Sequence, residues 1–174
     1  MNYKKLQLFF IMVFASVAFT SAVVVDYGYD GFEDGWNNFQ DGWLGPWSHQ
    51  GNSKIVQSGA FAGGHSLKLR GPYPSNPGIV KRYFNLTTLG NLDHISFYVK
   101  VDSFEGDDFA SFIVGNDAGY GTYYIFNATL SDGVWRQYDI DLSNFIEGSN
   151  PYIEFRAYMN ENTDFFNIDE IYIE

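Results

Sequence analysis

The sequence predicts an all-β protein, an antiparallel two-sheet β-sandwich of jelly-roll type. Three observations lead there. Short stretches alternate apolar and polar residues with the two-residue period of a half-buried strand, turn signals separate them regularly, and nothing after residue 22 sustains a helical apolar period. Composition agrees, since seventeen Phe, thirteen Tyr and four Trp suit half-buried pleated surfaces and eighteen Gly supply turns.

The chain opens with Met1-Asn2-Tyr3-Lys4-Lys5, runs through an apolar stretch from Leu6 to Phe19 broken only by Gln7 and Ser16, and reaches Thr20-Ser21-Ala22. A basic start, a short apolar stretch and small residues at its end describe a secretory signal peptide over residues 1–22. The stretch is short for a membrane span, although an uncleaved N-terminal anchor is the alternative. Residues 23–174 then form a single domain, large enough for one core, in an extracellular, secreted protein with no further membrane segment.

Strands are expected at 23–29, 54–58, 65–70, 79–85, 109–114, 121–128, 134–142 and 166–173. The alternation is clearest at two further places. Ile95, Phe97, Val99 and Val101 face one side with His94, Ser96, Tyr98 and Lys100 on the other, and Ile153, Phe155, Ala157 and Met159 oppose Tyr152, Glu154, Arg156 and Tyr158. Gly71-Pro72, Asn76-Pro77-Gly78, Glu105 to Asp108, Asp132-Gly133 and Asn150-Pro151 punctuate the series. The stretch from 36 to 53, rich in Trp, Gly and Asn, reads as an irregular region.

A net charge of −11, more negative still without Lys4 and Lys5, disfavours nucleic acid as a partner. With no cysteine, the core or a bound metal must supply what disulfides often supply in secreted domains. A cysteine nucleophile, His-Glu-x-x-His, Gly-x-Ser-x-Gly and Ser-x-x-Lys are all missing, and His49, His65 and His94 are scattered. Asp139 with Asp141 and Asp107 with Asp108 read as solvated carboxylates rather than a glycosidase pair. The expectation is a noncatalytic protein.

Two acidic motifs stand at either end of residues 23–174, Asp30-Gly31-Phe32-Glu33-Asp34-Gly35-Trp36 and Asn167-Ile168-Asp169-Glu170-Ile171-Tyr172-Ile173. Strict alternation puts Asp169 on the apolar face with Ile171 and Ile173. A carboxylate there calls for a cation, an arginine or a cluster of backbone groups, with calcium the leading choice. Capping of turns, or pairing with Lys68 or Arg70, is the alternative for Glu33 and Asp169.

Several segments together resemble secreted jelly-roll modules typified by carbohydrate-binding modules and MAM-like domains. They are Gly31-Phe32-Glu33 with Trp36, Ser58-Gly59 followed by Gly63 to Leu69, Ile95 to Lys100, Trp135 ahead of Ile140 to Ser143, and Ile168 to Ile171. The resemblance implies a structural calcium held by the carboxylates of Glu33 and Asp169 with carbonyls from Gly63 to His65. It also implies a glycan or polysaccharide partner. Sugar rings stack on aromatic faces while their hydroxyls need polar neighbours. Trp43 and Trp47, Tyr98 beside Lys100, and the set Tyr152, Glu154, Arg156 and Tyr158 are the candidates. The alternative function is a self-assembling extracellular subunit, a homopolymer in which Val23 to Tyr27 completes a neighbour's sheet by β-strand addition. Asn85 and Asn127 sit in Asn-x-Thr sequons, which matter only in a secretory pathway that glycosylates.

Overall fold

A computed structural model describes residues 29–33, 35–37, 43–57, 59–71, 76–84, 94–116, 119–142, 150–161 and 163–173. Among these residues eleven strands run in chain order: β1 (Tyr29–Asp30), β2 (Trp43–Gln50), β3 (Asn52–Val56), β4 (Ser66–Arg70), β5 (Gly78–Phe84) and β6 (His94–Asp102). Then come β7 (Phe109–Asn116), β8 (Gly119–Asn127), β9 (Arg136–Asp141), β10 (Tyr152–Tyr158) and β11 (Phe165–Ile173). Two three-residue 3-10 turns, Gly35–Asn37 and Ala128–Leu130, are the only helical pieces among the described residues.

The strands form two antiparallel sheets. The first has the order β3-β4-β11-β6-β9 with β1 beside β11, and the second β2-β5-β10-β7-β8. The chain keeps crossing from one sheet to the other, and among the described strands only β3-β4 and β7-β8 pair as direct neighbours in sequence. The jelly-roll sandwich expected from the alternation is the fold observed. Both inward sets named above are buried, and their rings interlock: Phe97 lies 4.6 Å from Phe112 and 5.2 Å, edge to face, from Phe155.

The structure corrects the sequence reading at three places. Residues 43–50, expected to be irregular, form β2. Gly45-Pro46 hides it, because proline cannot donate to a sheet ladder and survives only at edges or bulges. Here it has both shelters, since β2 is an edge strand whose register with β5 shifts between Leu44 and Ser48. Secondly, Trp47 is no loop platform; it is 3% exposed and belongs to the core. Thirdly, Asp169 does not share the face of Ile171 and Ile173. The register of β11 against β6 shifts between Asp169 and Tyr172, and Glu170 takes φ +49°, so one extra residue turns the strand over. Asp169 therefore lies on the outward side with Asn167. Of the expected strand 23–29, only Tyr29 is described, and residues 23–28, with the assembly segment Val23 to Tyr27, lie outside the described residues.

One charged pair crosses the core. Asp30 on β1 and Arg82 on β5 are both 0% exposed and form an ion pair between the two sheets. Asp30 also accepts from Trp47 Nε1 at 2.6 Å and from the Phe32 amide at 2.9 Å. Burial lowers the Arg82 pKa to about 10 even with the Asp30 carboxylate beside it, so the guanidinium stays charged.

At one end of the sandwich, Asp108 in the β6-β7 loop faces Asp164 in the β10-β11 loop. Asp108 accepts from the amides of Asn160 at 2.8 Å and Glu105 at 3.1 Å. Asp164 is 2% exposed, and its Oδ2 has no hydrogen-bond donor among the described residues. Burial, then the neighbouring Asp108 carboxyl, raises the Asp164 pKa above the ordinary 3.8. Its folded value exceeds its unfolded one, so the stability it contributes is fully present below about 3.8 and is lost as pH rises through the folded value. Asp164→Asn is expected to flatten stability against pH across that window, as read by urea denaturation at a series of pH values. An unchanged slope would show that Asp164 does not titrate there.

Candidate functional site

The outward face of the second sheet carries a group of polar and aromatic side chains drawn from β5, β10 and β7. Antiparallel register aligns Tyr83, Tyr152 and Gly115 across β5, β10 and β7, then Lys81, Glu154 and Ile113, then Ile79, Arg156 and Ser111. Tyr158 on β10 faces Phe109 on β7, and the two rings stack at 4.6 Å.

Each row is fixed by packing. Tyr83 and Tyr152 meet edge to face at 5.8 Å, and the Lys81 ammonium stands 3.4 Å from the Tyr152 ring centroid. Gly115 makes room, since a Cβ there would sit 2.5 Å from the Tyr152 ring. Arg156 Nε donates to Glu154 Oε1 two residues away on the same strand face. Burial disfavours the Arg156 charge, but Glu154 and the Tyr158 side chain outweigh it and raise the pKa, keeping a fixed cation on the face.

The four β10 candidates thus come together, with one correction. Tyr152 and Glu154 point outward yet are buried, because Lys81, Tyr83 and Arg156 pack over them. Arg156 and Tyr158 are the half-buried members that reach solvent. Sequence reasoning missed Lys81, Tyr83 and Phe109. The signal was available in β5, where Ile79, Lys81 and Tyr83 alternate with buried Val80, Arg82 and Phe84, but Lys81-Arg82 together look like a solvated pair.

The remaining candidates lie elsewhere. Trp43 is in β2, and its side chain lies outside the described residues. Tyr98 sits on the outer face of the first sheet with one ring face covered by Phe61, stacked at 3.6 Å. Phe61 itself is 45% exposed and meets Trp135 edge to face at 6.2 Å.

The loop carrying Phe61 is clasped by both expected metal carboxylates. Asp169 Oδ2 accepts from the amides of Phe61 at 2.8 Å and Ala62 at 3.2 Å, while Oδ1 accepts from Glu170 N at 2.9 Å. Burial pushes its pKa to about 6 against the pull of these donors. Glu33 Oε1 accepts from the amides of Gly64 at 2.7 Å and His65 at 3.0 Å, and Oε2 lies 2.9 Å from His65 Nδ1. The His65 side chain, then the two amides, lowers the Glu33 pKa. Gly63 has no substitute here: at φ +61° it also brings its α-carbon so close that a Cβ would fall 2.1 Å from Glu33 Oε1.

Of the three partners a carboxylate at 169 could find, the structure supplies backbone N–H groups. Glu33 and Asp169 offer the hard oxygens calcium takes, and backbone N–H groups donate to both. Among the described residues, no three acidic or histidine side chains converge on a common metal position.

No family model matches the chain, and no curated protein matches it by sequence. Solved structures do match in fold. A family 61 carbohydrate-binding module in complex with β-1,4-galactotriose aligns with TM-score 0.60 at 16% identity, covering 83% of this chain and 93% of the module. The K2 cleaved adhesin domain of Lys-gingipain aligns with TM-score 0.56 at 15% identity, over 84% of this chain and 98% of that one. The CBM22-1 xylan-binding domain of Paenibacillus barcinonensis Xyn10C follows with TM-score 0.51 at 19% identity, over 79% and 90%. At such identities the likeness establishes a shared jelly-roll sandwich, and the ligand must be argued from the site.

Proposed function

We propose that this protein is a secreted, noncatalytic carbohydrate-binding module that holds a neutral glycan against the outward face of its β2-β5-β10-β7-β8 sheet. The observation that carries this reading is the arrangement of Tyr158 and Arg156, an aromatic face beside a fixed guanidinium, on a rigid strand at the middle of that sheet. An aromatic ring supplies stacking for sugar C–H groups, and Arg156 supplies fork-shaped donors for hydroxyls. Support also comes from fold neighbours that bind β-1,4-galactotriose and xylan.

Tyr158→Ala is expected to weaken binding to β-1,4-galactan or xylan by about 1 kcal/mol, measured by calorimetry or affinity electrophoresis, and to cost about 0.5–1.5 kcal/mol of stability through the lost Phe109 stack. Arg156→Ala should weaken binding too, but it strands the buried Glu154 carboxylate and will lower the melting temperature. Full-strength binding by Tyr158→Ala would remove this face from the proposal.

Calcium remains part of the proposal in a limited form. It would enter through Glu33, whose side chain is 43% exposed, and exchange with the amide donors of the 63–65 turn. Added calcium would then raise the melting temperature and Glu33→Gln would abolish the shift. Identical melting in calcium and in chelator would leave the N–H clasp as the whole of this site.

A further inference from the structure

The outer face of the first sheet carries a row of amines with no carboxylate partner among the described residues. Cross-strand register places Lys54 on β3 opposite Lys68 on β4, Lys68 opposite Asn167 on β11, and Asn167 opposite Lys100 on β6. Like charges directly opposite on a sheet destabilise it. Among the described residues no carboxylate lies within ion-pair distance of Lys54, Lys68 or Lys100.

The concentration is marked in a chain of net charge −11. Of its ten lysines and arginines, Lys4 and Lys5 lie in the N-terminal stretch, while Lys54, Lys68, Arg70 and Lys100 share this face. The Lys68 pKa is lowered, first by burial and then by Lys54 and Arg70, with Asp102 opposing, which places the cations within one another's field.

Aromatic rings flank the row. Lys68 Nζ stands 3.0 Å from the Phe165 centroid and Lys100 Nζ 5.3 Å from that of Trp135, which in turn meets the exposed Phe61. Asn167, on the strand between Lys68 and Lys100, turns its amide toward the Lys100 carbonyl at 3.5 Å and is buried.

We propose that this face is a second binding surface, for a carboxylated polysaccharide, distinct from the neutral-glycan face on the opposite sheet. Trp135 and Phe61 offer stacking surface for sugar rings, and the amines meet carboxylates. The amines are separated by one and then two strand intervals of about 4.8 Å, a spacing that suits a chain with one charge per ring rather than a densely sulfated one. A row of like charges held at a cost to stability is relieved when a polyanion lies along it.

The test uses the full-length protein with polygalacturonate as the anionic probe, β-1,4-galactan as the neutral one and dextran sulfate as the sulfated one. Polygalacturonate is expected to bind in preference to dextran sulfate, with affinity falling as salt rises. The double variant Lys68→Gln with Lys100→Gln should lose at least about tenfold in affinity for it with unchanged galactan binding, while melting falls only by what the two lost cation–π contacts contribute. Tyr158→Ala should leave polygalacturonate binding intact, so failure of the galactan reading and failure of this one are separately visible. The proposal is overturned if polygalacturonate does not bind, if the double variant binds it as well as wild type, if Tyr158→Ala abolishes it equally, or if dextran sulfate binds more tightly. It is also overturned if sedimentation shows a dimer that the double variant dissociates, because the row would then meet the acidic surface of a second copy.

Discussion

Arg82→Met is expected to cost about 3–5 kcal/mol, the largest loss from any single polar substitution in this domain, because it leaves the Asp30 carboxylate charged and buried between the sheets. Methionine keeps much of the apolar bulk, so the loss reports charge rather than cavity. Urea denaturation at neutral pH measures it. The double variant Arg82→Met with Asp30→Asn should recover part of the loss, since asparagine removes the charge while retaining an oxygen for the Phe32 amide. A double variant no more stable than the single one would show that the pair matters through geometry instead.

The second large effect is expected close by on β11, two residues before the Asp30 partner Ile171 and on the opposite face of the strand. Asp169→Ala removes the acceptor of three backbone amides, at Phe61, Ala62 and Glu170, and should destabilise the domain by about 2–3 kcal/mol. It should also free the loop locally. Hydrogen exchange at the Phe61 and Ala62 amides is expected to accelerate by more than the global stability loss accounts for, and the Phe61 stack on Tyr98 should loosen with it. Uniform acceleration across all strands would instead mean that Asp169 supports the fold as a whole.

The parts of this molecule legible in the sequence are those governed by alternation. Ile95 to Val101 and Ile153 to Met159 give their faces away because each apolar residue is followed by a polar one and no bulge intervenes. The resulting sandwich follows from such strands, and so does the gathering of Glu154, Arg156 and Tyr158 on one side of β10. What alternation could not show is anything decided by a partner distant in sequence. Arg82 points inward only because Asp30, fifty-two residues earlier, is there to neutralise it. Alternation puts Asp169 on the wrong face because a single left-handed residue, Glu170, carries no composition signal that distinguishes a bulge from a strand. Trp47 is hidden for a related reason: a stretch rich in Trp, Gly and Asn reads as irregular, and the shift in register that accommodates Pro46 appears only when β5 is alongside.

The order of strands has a consequence for how the chain reaches this state. The two strands at the middle of the sheets, β10 and β11, are the last of the eleven in chain order. Until they dock, the β3-β4 and β7-β8 hairpins and the strands β5 and β6 have no template to join them, and both half-sheets expose unsatisfied edges. Assembly must therefore wait for contacts between residues about a hundred positions apart, such as Leu67 with Ile168, whose loop-closure entropy is spent before any core is gained. Folding on a growing chain is expected to be a late, single event rather than a stepwise one. A pause in synthesis before residue 152 would hold the nascent protein in its most aggregation-prone form.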